Sequence, residues 1–332
     1  MEVAGQNANL KPTPDYGSLG TDADLHTDRP ITAQSGSRKW VALAAGAFLG
    51  MQLMLHQRGL LEIVQFLSKN AQNAQHSSVI RSGRKTSPRV VTNRALQSQA
   101  ELLLQRAVGH SPGAKEEVAA RVDAWRGNLT LTPQLNSLIT SALNSDDFAV
   151  RAEGIEVDLA AMGLAKTPES AEQLILQAST GPKSQRIWAL WTMGLLGNRD
   201  VEAERIGQFL TQQLGNDDPE IRQWAVEGIS YLGTDGSIDP LMKTFHDDPS
   251  PMVRERAACG LAQSGMLSKR QRQTIIPRLL LYASDPSLDA STHGWVFQAL
   301  RDITAQSLPN DAAAWQSWYD ASSDKVILGS AK

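Results

Sequence analysis

From about residue 92 onward, apolar residues recur at helical spacing, and the stretch "NDDPEIRQWAVEGISYLG" (216–233) shows the pattern in full. Ile221, Trp224, Ala225, Gly228, Ile229 and Leu232 fall at i, i+3, i+4, i+7, i+8 and i+11, which is one face of a helix. Asp218 is placed to cap the N-terminus by accepting from free backbone N–H groups. Pro219 suits the first helical position, where its missing donor costs nothing. Glu220 complements the positive end of the helix dipole. Gly233 can take the left-handed conformation that closes a helix.

The same order of residues returns three times. "SDDFAVRAEGIEVDLAAMG" ends at Gly163, "GPKSQRIWALWTMGLLG" at Gly197 and "DDPSPMVRERAACGLAQSG" at Gly265. Arg151, Arg186, Arg222 and Arg254 are spaced by 35, 36 and 32 residues, and each lies 11 or 12 residues before its closing glycine. A fifth copy, "SDPSLDASTHGWVFQAL", lacks both the arginine and the glycine, as terminal repeats that cap a stack often do. Shorter helices are expected between these, near 171–178, 203–214, 237–245 and 273–283. Strand signals are nearly absent, with few alternating runs and no Asn-Gly hairpin turn. Two helices per 32–36 residues predict an all-α fold, a right-handed α-solenoid of stacked helical pairs over 92–322 with a short tail at 323–332.

The N-terminal third reads differently. Residues 1–37 are polar and lack the apolar surface to offset ordering entropy, so a disordered tail is expected. Residues 38–67 predict a hydrophobic helix, with a basic pair and then an apolar run from Trp40 to Leu55. Three readings compete for it: a single-pass membrane anchor, an amphipathic segment packed on protein or lipid, and a cleaved signal peptide. The anchor is the leading one, although a spanning helix usually needs about 20 apolar residues. The long polar stretch before the run opposes the signal peptide. Three basic residues precede the run and two follow closely, placing the N-terminus inside, but the basic linker at 68–91 pulls the other way. That linker is a solvated spacer or a patch attracted to anionic headgroups.

The quoted repeats resemble HEAT repeats, in particular the short bacterial kind found in phycobilisome-lyase-like proteins. In that family Asp and Arg side chains form a ladder between repeats. The resemblance therefore implies ladder roles for Arg151, Arg186, Arg222 and Arg254, facing acids such as Asp147, Asp218 and Asp248. "Lys183-Ser184-Gln185" has no acid at the matching place. The segment "ALRDITAQSLPNDAAAWQSWY" (299–319) resembles the closing segment of bacterial HEAT-repeat proteins, with Ala305 where glycine is usual. The resemblance covers roughly 130–320 and implies a structural role for the ladder.

Charge and chemistry narrow the function. Residues 128–332 carry seventeen basic and twenty-five acidic side chains, a net of −8, which opposes broad contact with nucleic acid. The one cysteine, Cys259, sits in an Ala-rich apolar run and reads as a buried thiol. Among six histidines none pairs with another ligand at metal-binding spacing; "HDD" at 246–248 is nearest and reads as a loop whose acids cap a helix. No nucleophile elbow, phosphate loop or Cys-x-x-Cys occurs, and no cofactor or small-molecule substrate is implied. Trp191 and Trp224 fall on the apolar stripe, while Trp188 is adjacent to it. Trp188 with Arg222 and Arg256 forms the candidate partner surface, since Trp and Arg dominate binding hot spots. The leading expectation is a non-enzymatic scaffold for a protein partner, held at a cell membrane by its N-terminal helix, with a cytoplasmic location as the alternative. A lyase-like protein acting on a chromophore-bearing partner and a HEAT-type DNA glycosylase are the competing functions.

Overall fold

The computed structural model describes residues 88–329, with side chains described over 93–322. The expected tail at 1–37, the hydrophobic helix at 38–67 and most of the linker at 68–91 lie outside the described residues. All regular structure among the described residues is helical. The chain forms α1 (Pro88–Val108), α2 (Ala114–Ala119), α3 (Val122–Trp125), α4 (Pro133–Leu143), α5 (Phe148–Ala161), α6 (Pro168–Thr180), α7 (Lys183–Gly197) and α8 (Ala203–Gln213). It continues with α9 (Pro219–Leu232), a 3-10 turn, α10 (Ile238–Asp247), α11 (Pro251–Ala262), α12 (Lys269–Thr274), α13 (Ile276–Ala283), α14 (Ala290–Thr304) and α15 (Ala312–Gly329). Helix α1 thus begins inside the stretch read as linker, and α15 runs through most of the stretch read as tail.

The helices pair as the periodicity predicts: α4 with α5, α6 with α7, α8 with α9, α10 with α11, and α12–α13 with α14. The second members stack, α7 on α9, α9 on α11 and α11 on α14, which makes an α-solenoid. The expected helix over 273–283 is broken into α12 and α13. Pro277 lacks the N–H that a continuous helix would use, and the break falls just before it. In the cluster α1–α3, α1 packs on α2 and α4, and all three helices pack on α5.

Local chemistry sets these boundaries. Asp147, Asp218 and Asp289 cap α5, α9 and α14, accepting from the N–H groups of Ala149, Glu220 and Thr292 at 2.8, 2.9 and 2.9 Å. Proline opens α4, α6, α9 and α11. Gly163, Gly233 and Gly265 have φ of +72°, +65° and +74°, the left-handed turn expected of a closing residue. Gly197 departs from the expectation. It remains helical within α7, and the chain reverses instead at Asp200 and Glu202, with φ of 63° and 48°. Its small size serves packing, because a Cβ there would stand 2.6 Å from Leu232 Cδ1. Ala305 takes the left-handed turn where the resembling proteins have glycine, with φ of 58°.

The tightest seam in the stack is backbone on backbone. A Cβ on Gly194 would lie 2.2 Å from the Gly228 carbonyl oxygen, and one on Gly228 would lie 2.5 Å from the Leu190 carbonyl oxygen. Neither backbone can retreat without moving a helix. Gly194→Ala should therefore destabilise the fold by about 2 kcal/mol or more, despite the better helix propensity of alanine. Urea denaturation checks this; a change under about 0.5 kcal/mol would mean that the helices part freely.

Candidate functional site: a polar seam on the inner helices

The second helix of each pair carries the predicted ladder arginines in its first turn or soon after. Each guanidinium ties down the turn before it. Arg151 donates to the Ser145 carbonyl, Arg222 to that of Asn216 and Arg254 to that of Asp248, at 2.5, 2.9 and 2.7 Å. Arg186 donates to the Ala178 carbonyl at 2.9 Å. Two arginines also reach forward to the next repeat. Arg222 makes a bidentate pair with Asp248 at 2.8 and 2.9 Å, with the two side chains 9% and 4% exposed. The Asp248 carboxylate holds the Arg222 guanidinium above its ordinary pKa. Arg254 meets Asp289 at 2.5 Å and Thr292 Oγ1 at 3.0 Å. Asp248 in turn accepts from the Ser250 N–H at 2.8 Å.

The remaining rungs are filled differently. Asp218 is met by Lys183, which also reaches Glu220, at 2.8 and 2.6 Å. Asp147 is met by Lys115 of α2 at 3.2 Å. Pro182 stands at the N-cap of α7, so Arg151 finds no acid ahead of it. It crosses instead to the loop after α11, where it donates to the carbonyls of Gly265 and Gln263 at 2.5 and 3.2 Å. Burial lowers the Arg151 pKa, because no carboxylate is bonded to offset it. Arg272 serves the same loop, donating to the carbonyls of Leu267 and Ser264 at 2.8 and 2.9 Å. Burial, with the Arg151 charge beside it, brings Arg272 down to about 10.

This crossing covers the inner face. Residues 189–197 of α7 and 225–232 of α9 are buried without a break, so these helices have no open side over those stretches. A polar group is enclosed there. Tyr231 lies within electrostatic reach of Glu227, Arg256, Arg151 and Asp158. Arg256 donates through Nε to Glu227 Oε2. Burial opposes the Arg256 charge, and the Glu227 carboxylate more than offsets it, so its pKa is raised. Asp158 Oδ2 and Glu227 Oε1 are buried without a hydrogen-bond partner. Burial pushes the Asp158 carboxyl up to about 7. Burial, helped by the nearby Glu156 charge, does the same to Glu153.

The expected partner surface changes on this geometry. Arg222 and Arg256 are both spent on internal carboxylates and are not available to a partner. Trp188 is half-buried against the core, and its Nε1 is buried without a partner. Trp191 is buried as expected, while Trp224 is half-buried. The "HDD" stretch, expected as a loop, ends α10 instead: His246 bridges Asp247 and Asp285 at 2.5 and 2.9 Å, and Asp248 just beyond the helix belongs to the ladder. Cys259 is half-buried. No group of metal-binding side chains occurs among the described residues. The enclosed cluster was not read from the sequence. Its signal is visible in retrospect: Asp158 falls three residues after Ile155, on the apolar side of α5, and Glu227 interrupts the apolar run of α9.

The raised pKa of Asp158 has a definite sign. The folded state holds this proton up to about pH 7, whereas an unfolded carboxyl releases it near 3.8. Between those values the folded state binds more protons, so this group makes stability fall as pH rises. Asp158→Asn should flatten that decline. It should match the parent near pH 4 and exceed it by about 2–4 kcal/mol at pH 8, as followed by urea denaturation at each pH. A variant less stable than the parent at pH 8 would show that the carboxylate is held by favourable contacts.

The family model for HEAT repeats matches residues 171–262, the span from α6 to α11. No curated protein matches the chain. Among solved structures, a designed armadillo repeat protein in complex with the peptide (KR)4 is 15% identical, covers 62% of this chain and 99% of its own, and superposes with a TM-score of 0.30. An engineered protein is 13% identical, covers 62% of this chain and 97% of its own, with a TM-score of 0.31. Scores at this level do not distinguish one stacked-helix architecture from another. The family match falls on the stretch that holds Arg186, Arg222, Arg254 and the Gly194–Gly228 seam, so the similarity to HEAT repeats is found over those paired helices.

Proposed function

We propose that the chain is a non-enzymatic scaffold for a protein partner, built on HEAT-like helical pairs. The observation that carries this is the stack itself: repeats locked by the Gly194–Gly228 contact and by the Arg222–Asp248 pair present side chains at fixed spacing. Such surfaces suit extended partners. Trp188, Trp224 and Trp295 each lie six residues past the N-cap of their helix and are all half-buried, giving three pairs an aromatic residue at one repeat position. With Arg222 and Arg256 consumed inside, this aromatic position is the better candidate for partner contact. The net of −8 over residues 128–332 disfavours phosphate backbones as the partner.

A membrane tether belongs to the same proposal. It rests on the apolar run from Trp40 to Leu55 and its basic flanks. Residues 38–67 lie outside the described residues, among which no helix is long and apolar enough to cross a membrane.

Proximity labelling in the native cell, with the full chain and with a version lacking residues 1–68, tests both parts. The expected outcome is one shared set of labelled proteins, joined by membrane proteins only for the full chain. Loss of every partner on truncation would place recognition in residues 1–68, and no enrichment with either version would remove the scaffold reading.

A further inference from the structure

We infer that α1–α5 form a dissociable cap over the inner face of the stack, held shut by Arg151 gripping the loop at 263–267. Two kinds of seam meet in this chain, and their chemistry differs. The seam between α7 and α9 is dry and closed by backbone contact at Gly194 and Gly228. The seam between α5 and the stack lies in the same apolar core but also encloses polar groups that are incompletely matched.

Consider what each side offers. From α5, Arg151 brings a buried charge that bonds neutral carbonyls of the loop, Gly265 and Gln263. The loop already holds a second buried guanidinium, Arg272, whose charge opposes that of Arg151. Near the other end of α5, Asp158 presents an oxygen with no partner, close to Tyr231 of α9. From α9, Glu227 keeps one carboxylate oxygen unmatched. Two further polar contacts join the sides: Arg199 to Glu156 at 3.7 Å, and Thr192 Oγ1 to Met162 S at 3.9 Å. Unmatched polar atoms and like charges in one interface favour reversible docking over permanent fusion, because water satisfies them when the seam opens.

The connection permits the movement. α5 packs on α1, α2, α3 and α4, so these helices leave as one body. Residues 162–167 join it to α6, and Gly163 there sits at φ +72°, a backbone position that can turn without side-chain strain. Opening would uncover the inner surface of α9 and the 263–267 loop. In the scaffold reading this is a second contact surface, beside the aromatic position at Trp188, Trp224 and Trp295, and the cap withholds it from a partner, which makes the cap autoinhibitory. The functional consequence rests on that reading; the opening itself does not.

Native-state hydrogen exchange of the full chain by mass spectrometry, without any partner, tests the cap. At pH 7.5, Arg151→Ala should speed exchange in 148–161 and 263–267 together, by about tenfold or more, while 190–197 and 221–229 stay unchanged. Asp158→Asn should slow exchange in the same two segments, because it removes the unmatched charge without removing the latch. Opposite shifts confined to this pair of segments support the cap. A uniform change across all four, a change in only one of the two, or no slowing in Asp158→Asn would overturn it. Should Arg151→Ala fail to fold, the slowing predicted for Asp158→Asn decides alone. A closed cap would leave the scaffold reading standing, since the readout involves no partner.

Discussion

The buried Arg222–Asp248 pair is the interaction on which the order of the stack depends. One guanidinium closes its own repeat by donating to the Asn216 and Asp217 carbonyls, then reaches the aspartate that begins the next repeat. That aspartate also organises the turn into α11 through the Ser250 N–H. Three jobs meet in two side chains that are almost fully withdrawn from water. Desolvating both charges is costly, and the bidentate geometry with additional backbone partners is what makes the arrangement tenable. Arg254 repeats the design with Asp289 and Thr292. The register of neighbouring pairs therefore follows from hydrogen-bond geometry, while hydrophobic burial supplies most of the stabilisation without specifying register.

Where the ladder lacks a rung, its arginine crosses to a loop distant in sequence. Pro182 occupies the place where an acid would receive Arg151. Beyond its bond to the Ser145 carbonyl, the guanidinium satisfies its remaining donors on the carbonyls of residues 263 and 265. The consequence extends over more than a hundred residues of sequence. Helix α5 lies against the inner face, α7 and α9 lose their open side, and a set of ionisable groups becomes enclosed around Tyr231. The inner face over those stretches is therefore occupied by the chain itself.

Much of the architecture was legible because its signals are local. Caps such as Asp218, first-turn prolines and the spacing of Ile221, Trp224 and Ile229 act within one helix, and such local signals marked all five inner helices, the fifth without its arginine and closing glycine. The missing acid before α7 was also readable at Lys183-Ser184-Gln185. Its effect was not, because the carbonyls that replace the acid are distant in sequence. The same limit applies to the assumed partner surface. Arg222 and Arg256 look like free cations in sequence, and only the packing of α9 against its neighbours shows them paired with Asp248 and Glu227. Gly197 misled for a different reason: a glycine near a helix end can serve close packing as well as a left-handed turn, and here Leu232 decides the matter.

The central claim is that a buried ion pair couples successive repeats. A double-mutant cycle on Arg222→Met and Asp248→Asn, read by urea denaturation, tests it most directly, since asparagine retains an acceptor for the Ser250 N–H. The account predicts a coupling energy of about 2 kcal/mol or more between the two positions. Coupling within about 0.5 kcal/mol would show the two side chains acting independently, and would leave repeat register to hydrophobic packing alone.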